Sequence, residues 1–171
     1  MSARPADMVL TATGLRMAAL RFRGRRFPVS IGRGGVTDSK REGDGATPRG
    51  VHRIVGLLYR PDRMARPVGW AVPIGPSDLW SDDPRDPAYN TMVRAPHPFS
   101  HERLRRADPL YDAILLTDWN WPYAVPGRGS AIFLHHWRRP GAPTEGCVAF
   151  RRDHMAWILP RISYHTRLIV R

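Results

Sequence analysis

The hydrophobic positions fall into short runs separated by segments rich in arginine, glycine and proline. Short apolar runs bounded by turn residues are typical of β-strands rather than of long helices. The first third of the chain has this pattern three times and predicts strands over 8–13, 19–22 and 27–31. The last two flank Arg23-Gly24-Arg25-Arg26, so we expect them to form an antiparallel hairpin around the glycine.

The rest of the chain continues the strand pattern with one long interruption. Four more apolar runs predict strands at 51–55, 113–117, 130–135 and 167–170. A polar, glycine-rich segment covers 32–50, and the proline-rich stretch 59–110 has little periodicity. We expect that stretch to form long loops and short elements laid over the sheet, where a binding groove has room.

One helix is predicted, close to the C-terminus. Asp153 is its predicted N-cap, and Pro160 is expected to end or kink it. Its apolar residues recur at helical spacing and form one face: Met155, Ile158, Leu159 and Ile162. No repeat, linker or low-complexity tail interrupts the chain, so residues 1–171 are predicted to form a single domain.

The composition, with 42% hydrophobic and 25% charged residues, is that of a soluble globular protein. No run approaches the roughly 18 apolar residues of a membrane span, so no transmembrane segment is predicted. The first residues also lack the charged start, apolar core and cleavage site of a signal peptide. Export by an unrecognised route, a trimmed sequence and retention inside the cell all remain open.

The chain is strongly basic, with a formal net charge of +12. Such a charge favours polyanions or carboxylate-rich partners, and arginine suits bidentate contacts to both. Lys40 is the only lysine. Nucleic-acid binding is one hypothesis, but no helix-turn-helix, zinc or RNA-binding signature accompanies the charge. The arginines are spread along the chain, as they are on an ordinary solubilising surface.

The candidate chemistry lies around the only cysteine, Cys147, which therefore forms no intramolecular disulfide. It follows Thr144-Glu145-Gly146, downstream of an apolar run that ends at His135. A cysteine nucleophile needs a base to form its thiolate and backbone N–H groups to receive an oxyanion. Gly146 allows a tight turn that exposes those amides. From these residues alone, a buried structural cysteine is the commoner case.

The order of histidine, loop, Ser/Thr-x-Gly-Cys and an apolar residue resembles the signature of L,D-transpeptidases with a YkuD-type catalytic domain. Upstream, Thr47-Pro48-Arg49-Gly50 is similar to the Thr-Pro-x-Gly element of that family. Three further segments are typical of its compact, catalytic-domain-only branch: 81–84, 89–90 and 101–104. The resemblance covers about 8–170. It implies a mostly β (α+β) fold, a β-sandwich or distorted barrel with a helix after the cysteine.

By this resemblance Cys147 is the nucleophile and His135 is its base. His135 takes the thiol proton, Cys147 attacks a peptide carbonyl, and the amine of a second stem peptide then attacks the thioester. Backbone amides at Gly146 and Cys147 are the expected oxyanion donors. The backbone carbonyl of His136 or a nearby hydroxyl is expected to orient His135. The mechanism implies no cofactor.

Further residues are candidates for contacts with the substrate. Four arginines suit the carboxylates of the stem peptides: Arg128, Arg138, Arg139 and Arg151. Five others are expected to line the groove: Tyr89, Asn90, His136, Thr144 and Glu145. Strand alternation points His136 away from His135. His97 and His101 have the spacing of a helical metal pair, but the prolines beside them preclude a helix, so no metal site is predicted.

The sequence departs from the better-studied members at two positions. Glu145 stands where they have histidine, Ala149 stands where they often have arginine or asparagine, and the loop from His135 to Cys147 is shorter. The branch without these features includes enzymes thought to form 1,3-type cross-links, from L-alanine to diaminopimelate, rather than 3,3-type ones. The expected partners are peptidoglycan stem peptides, as donor and acceptor.

Two points stay open after the resemblance. A cysteine-dependent L,D-carboxypeptidase or amidase acting on the same wall peptides would use every residue named above. The family implies a location in the periplasm or cell envelope, although no signal peptide is visible. The sequence does not fix an oligomeric state.

Overall fold

The computed structural model describes residues 6–171, and β-strands form most of its regular structure. The strands are β1 Met8–Ala12, β2 Met17–Phe22, β3 Arg25–Ser30, β4 Val36–Thr37, β5 Thr47–Pro48, β6 Gly50–Tyr59, β7 Val72–Pro73, β8 Asp78–Ser81, β9 Met92–Arg94, β10 His101–Arg103, β11 Ala113–Thr117, β12 Phe133–His136, β13 Val148–Phe150 and β14 Arg167–Val170. The helix α1, Arg152–Ile158, is accompanied by two 3-10 helices, Pro109–Tyr111 and Leu159–Arg161.

Eight of the strands close into a ring. Their order is β11-β12-β13-β3-β2-β1-β14-β6, and β6 pairs again with β11. The ten-residue β6 makes this closure, because its first half pairs with β14 and its second half with β11. A closed ring leaves no unpaired strand edge. The structure is therefore mostly β with a barrel-like sheet, as predicted, and α1 follows the cysteine.

Two hydrophobic clusters lie on opposite faces of β12. The larger one fills the barrel and includes Leu134 and Val148, together with the apolar face of α1. All four residues predicted for the helix face are buried, although Leu159 lies in the following 3-10 helix and Ile162 directly after it. Burial is worth about 1.5–3 kcal/mol for each large side chain. The smaller cluster includes Trp80, Phe133 and Cys147. The small antiparallel sheet β10-β8-β9 contributes to it.

The structure departs from the predicted elements at several places. The strand β13 was not predicted, and β6 continues to Tyr59 rather than ending at 55. Two other differences concern the strand before His135 and the start of the helix. The strand expected at 130–135 begins only at Phe133, because Ala131 has a φ of +52° and donates its N–H to a side chain. Asp153 is not the N-cap of α1: that residue is Arg151, and Asp153 lies in the first turn and binds its guanidinium at 2.7 Å. Within residues 6–171, no helix has the length and apolar character that crossing a membrane requires.

Candidate active site

The register between β12 and β13 brings the candidate nucleophile and base together. The two strands run parallel, with His135 level with Ala149. Cys147 lies one residue before β13, and its Sγ is 3.4 Å from the backbone nitrogen of Phe133. Because side chains alternate between the faces of a sheet, His135 and Cys147 share the face that Phe133 occupies. That face is the one covered by the smaller hydrophobic cluster.

The thiol of Cys147 is buried and protonated. It donates to the carbonyl of Ala131 at 3.1 Å and accepts the N–H of Phe133. Burial, together with the charge of Glu102, raises the pKa of this thiol to about 12. Cys147 therefore rests as a thiol, and it would need a base in order to act as a nucleophile.

The imidazole of His135, the candidate base, is oriented by a backbone carbonyl. Its Nδ1 lies 2.7 Å from the carbonyl oxygen of His136, which can only accept, so Nδ1 carries the hydrogen. The lone pair is therefore on Nε2. Burial lowers the pKa of His135 to about 4, so the ring is neutral at physiological pH. The sequence left two groups open for orienting His135, the backbone carbonyl of His136 and a nearby hydroxyl. In the structure the His136 carbonyl makes this contact.

Gly146 has a backbone conformation that other residues rarely adopt. Its φ is +134°, and a Cβ at this position would lie 2.8 Å from the carbonyl oxygen of Ala46. Its own carbonyl accepts the hydroxyl of Thr47 at 2.8 Å. Its N–H donates to the hydroxyl of Thr144 at 3.2 Å. The turn before Cys147 is therefore held by two threonines.

Cys147 and His135 lie in the lining of one pocket. The charged residues in that lining are Glu102, Arg106, Arg138, Arg139 and Glu145. Glu145 is ion-paired with Arg33 at 2.9 Å and is largely exposed. The three arginines give this pocket a cationic side that suits carboxylate groups.

Tyr111 links the base to a carboxylate in the same pocket. Its hydroxyl donates to Glu102 at 2.6 Å, and its ring meets the His135 ring edge-on, with centroids 5.1 Å apart. The guanidinium of Arg106 lies over the Tyr111 ring at 5.1 Å. Burial raises the pKa of Tyr111 well above its ordinary value, so the phenol stays a hydrogen-bond donor.

Comparison with known proteins identifies the family of the chain. A sequence model of the YkuD family, the L,D-transpeptidase catalytic domain, matches residues 16–170. The chain belongs to this family. A solved structure named as an L,D-transpeptidase from Mycobacterium smegmatis is 15% identical, with a TM-score of 0.45. The match covers 97% of this chain and 59% of that one. Comparison with curated proteins finds no match.

The YkuD domain brings six of the predicted site residues into the pocket lining: His135, Arg138, Arg139, Thr144, Glu145 and Cys147. Gly146 adjoins them through the backbone. Ala149, which marks one departure from the better-studied members, also lines the pocket. Glu145 and Ala149, the two positions that depart from the better-studied members, therefore both line the pocket that contains Cys147.

The other predicted residues make contacts away from this pocket. Arg151 binds Asp153, and the guanidinium of Arg128 lies over the Trp119 ring at 5.1 Å. His136 uses Nδ1 to contact the carbonyl of Pro109 at 3.0 Å. The hydroxyl of Tyr89 donates to Glu42 and accepts the N–H of Gly129.

Asn90 contacts Cys147 indirectly, through Ala131. Its Oδ1 accepts the N–H of Ala131 at 2.9 Å and the indole N–H of Trp80 at 3.0 Å. The carbonyl of Ala131 in turn accepts the Cys147 thiol. The amide of Asn90 thus fixes the residue against which the thiol rests.

Within residues 6–171, no group of three or more histidine, cysteine or acidic side chains is arranged to hold a metal ion. His97 lies with Nε2 2.6 Å from the carboxylate of Asp86, which also accepts the hydroxyl of Ser81. The rings of His97 and His101 are 5.9 Å apart.

Sequence reasoning missed Glu102, Tyr111 and Arg106. Glu102 was noted only as part of the resembling segment 101–104. Its place in the pocket depends on the register of β10 with β8, which sets Glu102 opposite Trp80. The indole of Trp80 packs edge-on against Phe133 at 5.0 Å. No local pattern marks that pairing, because both strands lie in the proline-rich stretch.

Proposed function

We propose that the protein is a peptidoglycan L,D-transpeptidase that joins stem peptides through a thioester at Cys147, in the cell envelope where this substrate lies. The observation that carries the proposal is the common placement of Cys147 and His135 in one pocket, with the Nδ1 of His135 bound to a backbone carbonyl. This arrangement leaves Nε2 to accept the thiol proton. Membership of the L,D-transpeptidase family supports the reaction class.

Acylation starts from a neutral thiol and a neutral imidazole. His135 accepts the proton as the sulfur attacks the donor carbonyl, because the thiol does not ionise beforehand at neutral pH. The tetrahedral oxyanion is received by the backbone N–H groups of Cys147 and Gly146. The N–H of Gly146 exchanges its 3.2 Å bond to Thr144 for the substrate oxygen. Collapse expels an amine, which takes the proton from His135.

Arg138 and Arg139 are the proposed contacts for the donor carboxylates. Both line the pocket, and a planar guanidinium binds a carboxylate in bidentate fashion. Thr144 is proposed to hold the turn rather than the substrate, since its hydroxyl donates to the Cys147 carbonyl at 2.6 Å.

We further propose that the cross-link is of the 1,3 type. Support comes from the two departures from the better-studied members, Glu145 and Ala149, which both line the pocket. Glu145 faces Arg33 with both carboxylate oxygens, so this wall differs in charge from one that carries histidine. A different wall favours a different donor carbonyl.

Intact-protein mass spectrometry during reaction with purified muropeptides tests both parts of the proposal. The expected result is a transient adduct on the wild-type chain and none on Cys147→Ala. In the 1,3 type the acyl group ends at L-alanine, whereas in the 3,3 type it retains the third residue of the stem. The mass of the adduct therefore identifies the donor carbonyl.

The products of the same reaction separate transfer from hydrolysis. Cross-linked dimers are expected from a transpeptidase. Shortened monomers alone would assign a carboxypeptidase or amidase, and full activity in Cys147→Ala would remove the mechanism altogether. His135→Gln is expected to abolish the adduct while leaving the chain folded, because glutamine cannot take the thiol proton.

A further inference from the structure

Glu102 is a pocket carboxylate that acylation does not use. It lies on β10, opposite Trp80, and lines the same pocket as Cys147 and His135. The charge of Glu102 acts on the Cys147 thiol, and Glu102 is half-buried, so desolvation raises the pKa of its carboxyl. A carboxylate held beside a nucleophile that must ionise is unfavourable for acylation. Its presence calls for a role in another step.

The hydrogen bonding of Glu102 is incomplete. Its Oε2 accepts the Tyr111 hydroxyl, and within residues 6–171 no other hydrogen bond and no ion pair reaches the carboxylate. Glu145, the other acidic residue in the lining, is more exposed and is ion-paired with Arg33. Arg106 uses its guanidinium on Asp108, with contacts of 2.8 and 2.6 Å. Glu102 is thus the acidic residue in the pocket whose second carboxylate oxygen, Oε1, is available to bind a cation.

The second substrate of a transpeptidase supplies such a cation. An alkyl ammonium like that of lysine has a pKa of about 10.4, so the acceptor amine reaches the enzyme protonated at neutral pH. It cannot attack a thioester until it loses a proton. A carboxylate that is partly shielded from water binds an ammonium group and is also a stronger proton acceptor than a fully exposed one.

We propose that Glu102 forms the acceptor subsite, binding the ammonium group of the second stem peptide and taking its first proton. This inference rests on the function proposed above and deepens it. Burial raises the pKa of Glu102, while the Tyr111 hydrogen bond and the charge of Arg106 favour the ionised form. The cationic wall of Arg138 and Arg139 then serves the donor, and Glu102 serves the acceptor.

Glu102, His135 and Cys147 account for every proton that moves during deacylation. The acceptor ammonium gives one proton to Glu102, and the neutral amine attacks the thioester carbonyl. The second proton passes from the attacking nitrogen to His135. Collapse breaks the C–S bond, and the Cys147 thiolate recovers that proton from His135. Glu102 finally releases its own proton to solvent.

Tyr111 is a positioning residue in this scheme. Its hydroxyl holds Oε2 of Glu102, which leaves Oε1 for the amine, and its ring packs against His135. One side chain therefore sets the relative places of the base used in acylation and the carboxylate used for the acceptor.

The test separates the two half-reactions on Glu102→Gln. Glutamine keeps the shape and the acceptor for Tyr111 but carries no charge and takes no proton. Acyl-enzyme formation, followed by mass spectrometry, is expected to remain within about 3-fold of wild type. Transfer to a muropeptide with a free diaminopimelate amine is expected to fall by about 100-fold or more, with hydrolysis taking over. Asp38→Asn is the control: it removes one exposed carboxylate that is ion-paired with Arg49 and lies outside the pocket lining, so both rates should stay near wild type.

Hydroxylamine gives a second measurement on the same acyl-enzyme. It is a nitrogen nucleophile that is neutral at pH 7, so it needs neither an anionic subsite nor prior deprotonation. Its attack is expected to be equally fast in wild type and Glu102→Gln. The inference is overturned if Glu102→Gln transfers to the cationic acceptor as well as wild type does, or if both nucleophiles are slowed alike. If the wild-type chain forms no acyl-enzyme, the proposed function fails as well.

Discussion

The hydroxyl of Thr47 donates to the carbonyl of Gly146 at 2.8 Å, across 99 residues of sequence. The same oxygen accepts the N–H of Gly32 at 3.0 Å. One buried side chain thus joins the start of the domain to the turn that carries Cys147. The Thr-Pro-x-Gly element, which the sequence marked only by its resemblance, has a structural role next to Cys147.

Thr47→Val removes this hydroxyl and keeps the shape of the side chain. The Gly146 carbonyl and the Gly32 N–H then lose a buried partner, which costs about 1–3 kcal/mol for each unsatisfied group. We expect a lower free energy of unfolding in urea and slower acylation of Cys147. Thr47→Ser retains the hydroxyl and should restore most of both. Equal values for the valine and serine variants would contradict the role of the hydrogen bonds.

Gly146→Ala is expected to be more damaging than loss of a single hydrogen bond. The added Cβ meets the Ala46 carbonyl at 2.8 Å, and the φ of +134° is strained for alanine. The turn has to move, and with it the thiol. We expect acylation to fall below detection by mass spectrometry and the unfolding midpoint to fall.

Gly24→Ala is the matched control for this variant. Gly24 also has a positive φ, +77°, but nothing lies within 4 Å of a Cβ there. We expect it to cost about 1–2 kcal/mol of stability, from the backbone alone, with acylation unchanged. A Gly146→Ala chain as active as Gly24→Ala would show that the turn tolerates displacement.

Strands could be predicted from the sequence where a short hydrophobic run is bounded by turn residues. β11, Ala113–Thr117, has the bounds that its apolar run predicts, and the β2–β3 hairpin forms around Arg23 and Gly24. The strand before His135 starts late because Asn90, far away in sequence, takes the N–H of Ala131. Such a long-range contact overrides the local β-strand propensity, and the sequence of the hydrophobic run does not reveal it.

The acid side of the pocket could not be predicted for a similar reason. Glu102 lies in the proline-rich stretch and Tyr111 directly after it, each on an element three residues long. Their meeting depends on the pairing of β10 with β8 and on the contact between Trp80 and Phe133. A sequence motif revealed the cysteine and histidine, whereas the groups around them are set by tertiary packing.

The reactivity of Cys147 toward iodoacetamide should report its resting state. Because burial raises the thiol pKa to about 12, little thiolate exists at neutral pH. We expect slow alkylation at pH 7 that increases continuously up to at least pH 10 without a plateau. Glu102→Gln removes a nearby negative charge, lowers the thiol pKa and should speed alkylation at any given pH below 10. A plateau near pH 7 would indicate a preformed thiolate.

The buried histidines should make the protein less stable as the pH falls below neutral. Burial lowers the pKa of His52, His135 and His136, that of His135 to about 4. At pH values between these lowered pKa values and the ordinary histidine pKa of about 6.5, the unfolded chain binds more protons than the native one. Acid therefore favours unfolding. For His135 alone the loss reaches about 3 kcal/mol by pH 4.

Urea unfolding at pH 7 and pH 4.5 measures this dependence. Carboxylates with lowered pKa values, such as Asp44, lose their contribution only below about pH 4, so they stay nearly constant over this window. Glu102 acts in the opposite direction, because its raised pKa makes the native state bind a proton first. Comparison with His135→Gln isolates the contribution of the imidazole. The free energy of unfolding of this variant should fall less between pH 7 and pH 4.5 than that of wild type. Parallel pH profiles for the two chains would mean that His135 is protonated as readily in the folded state as in the unfolded one.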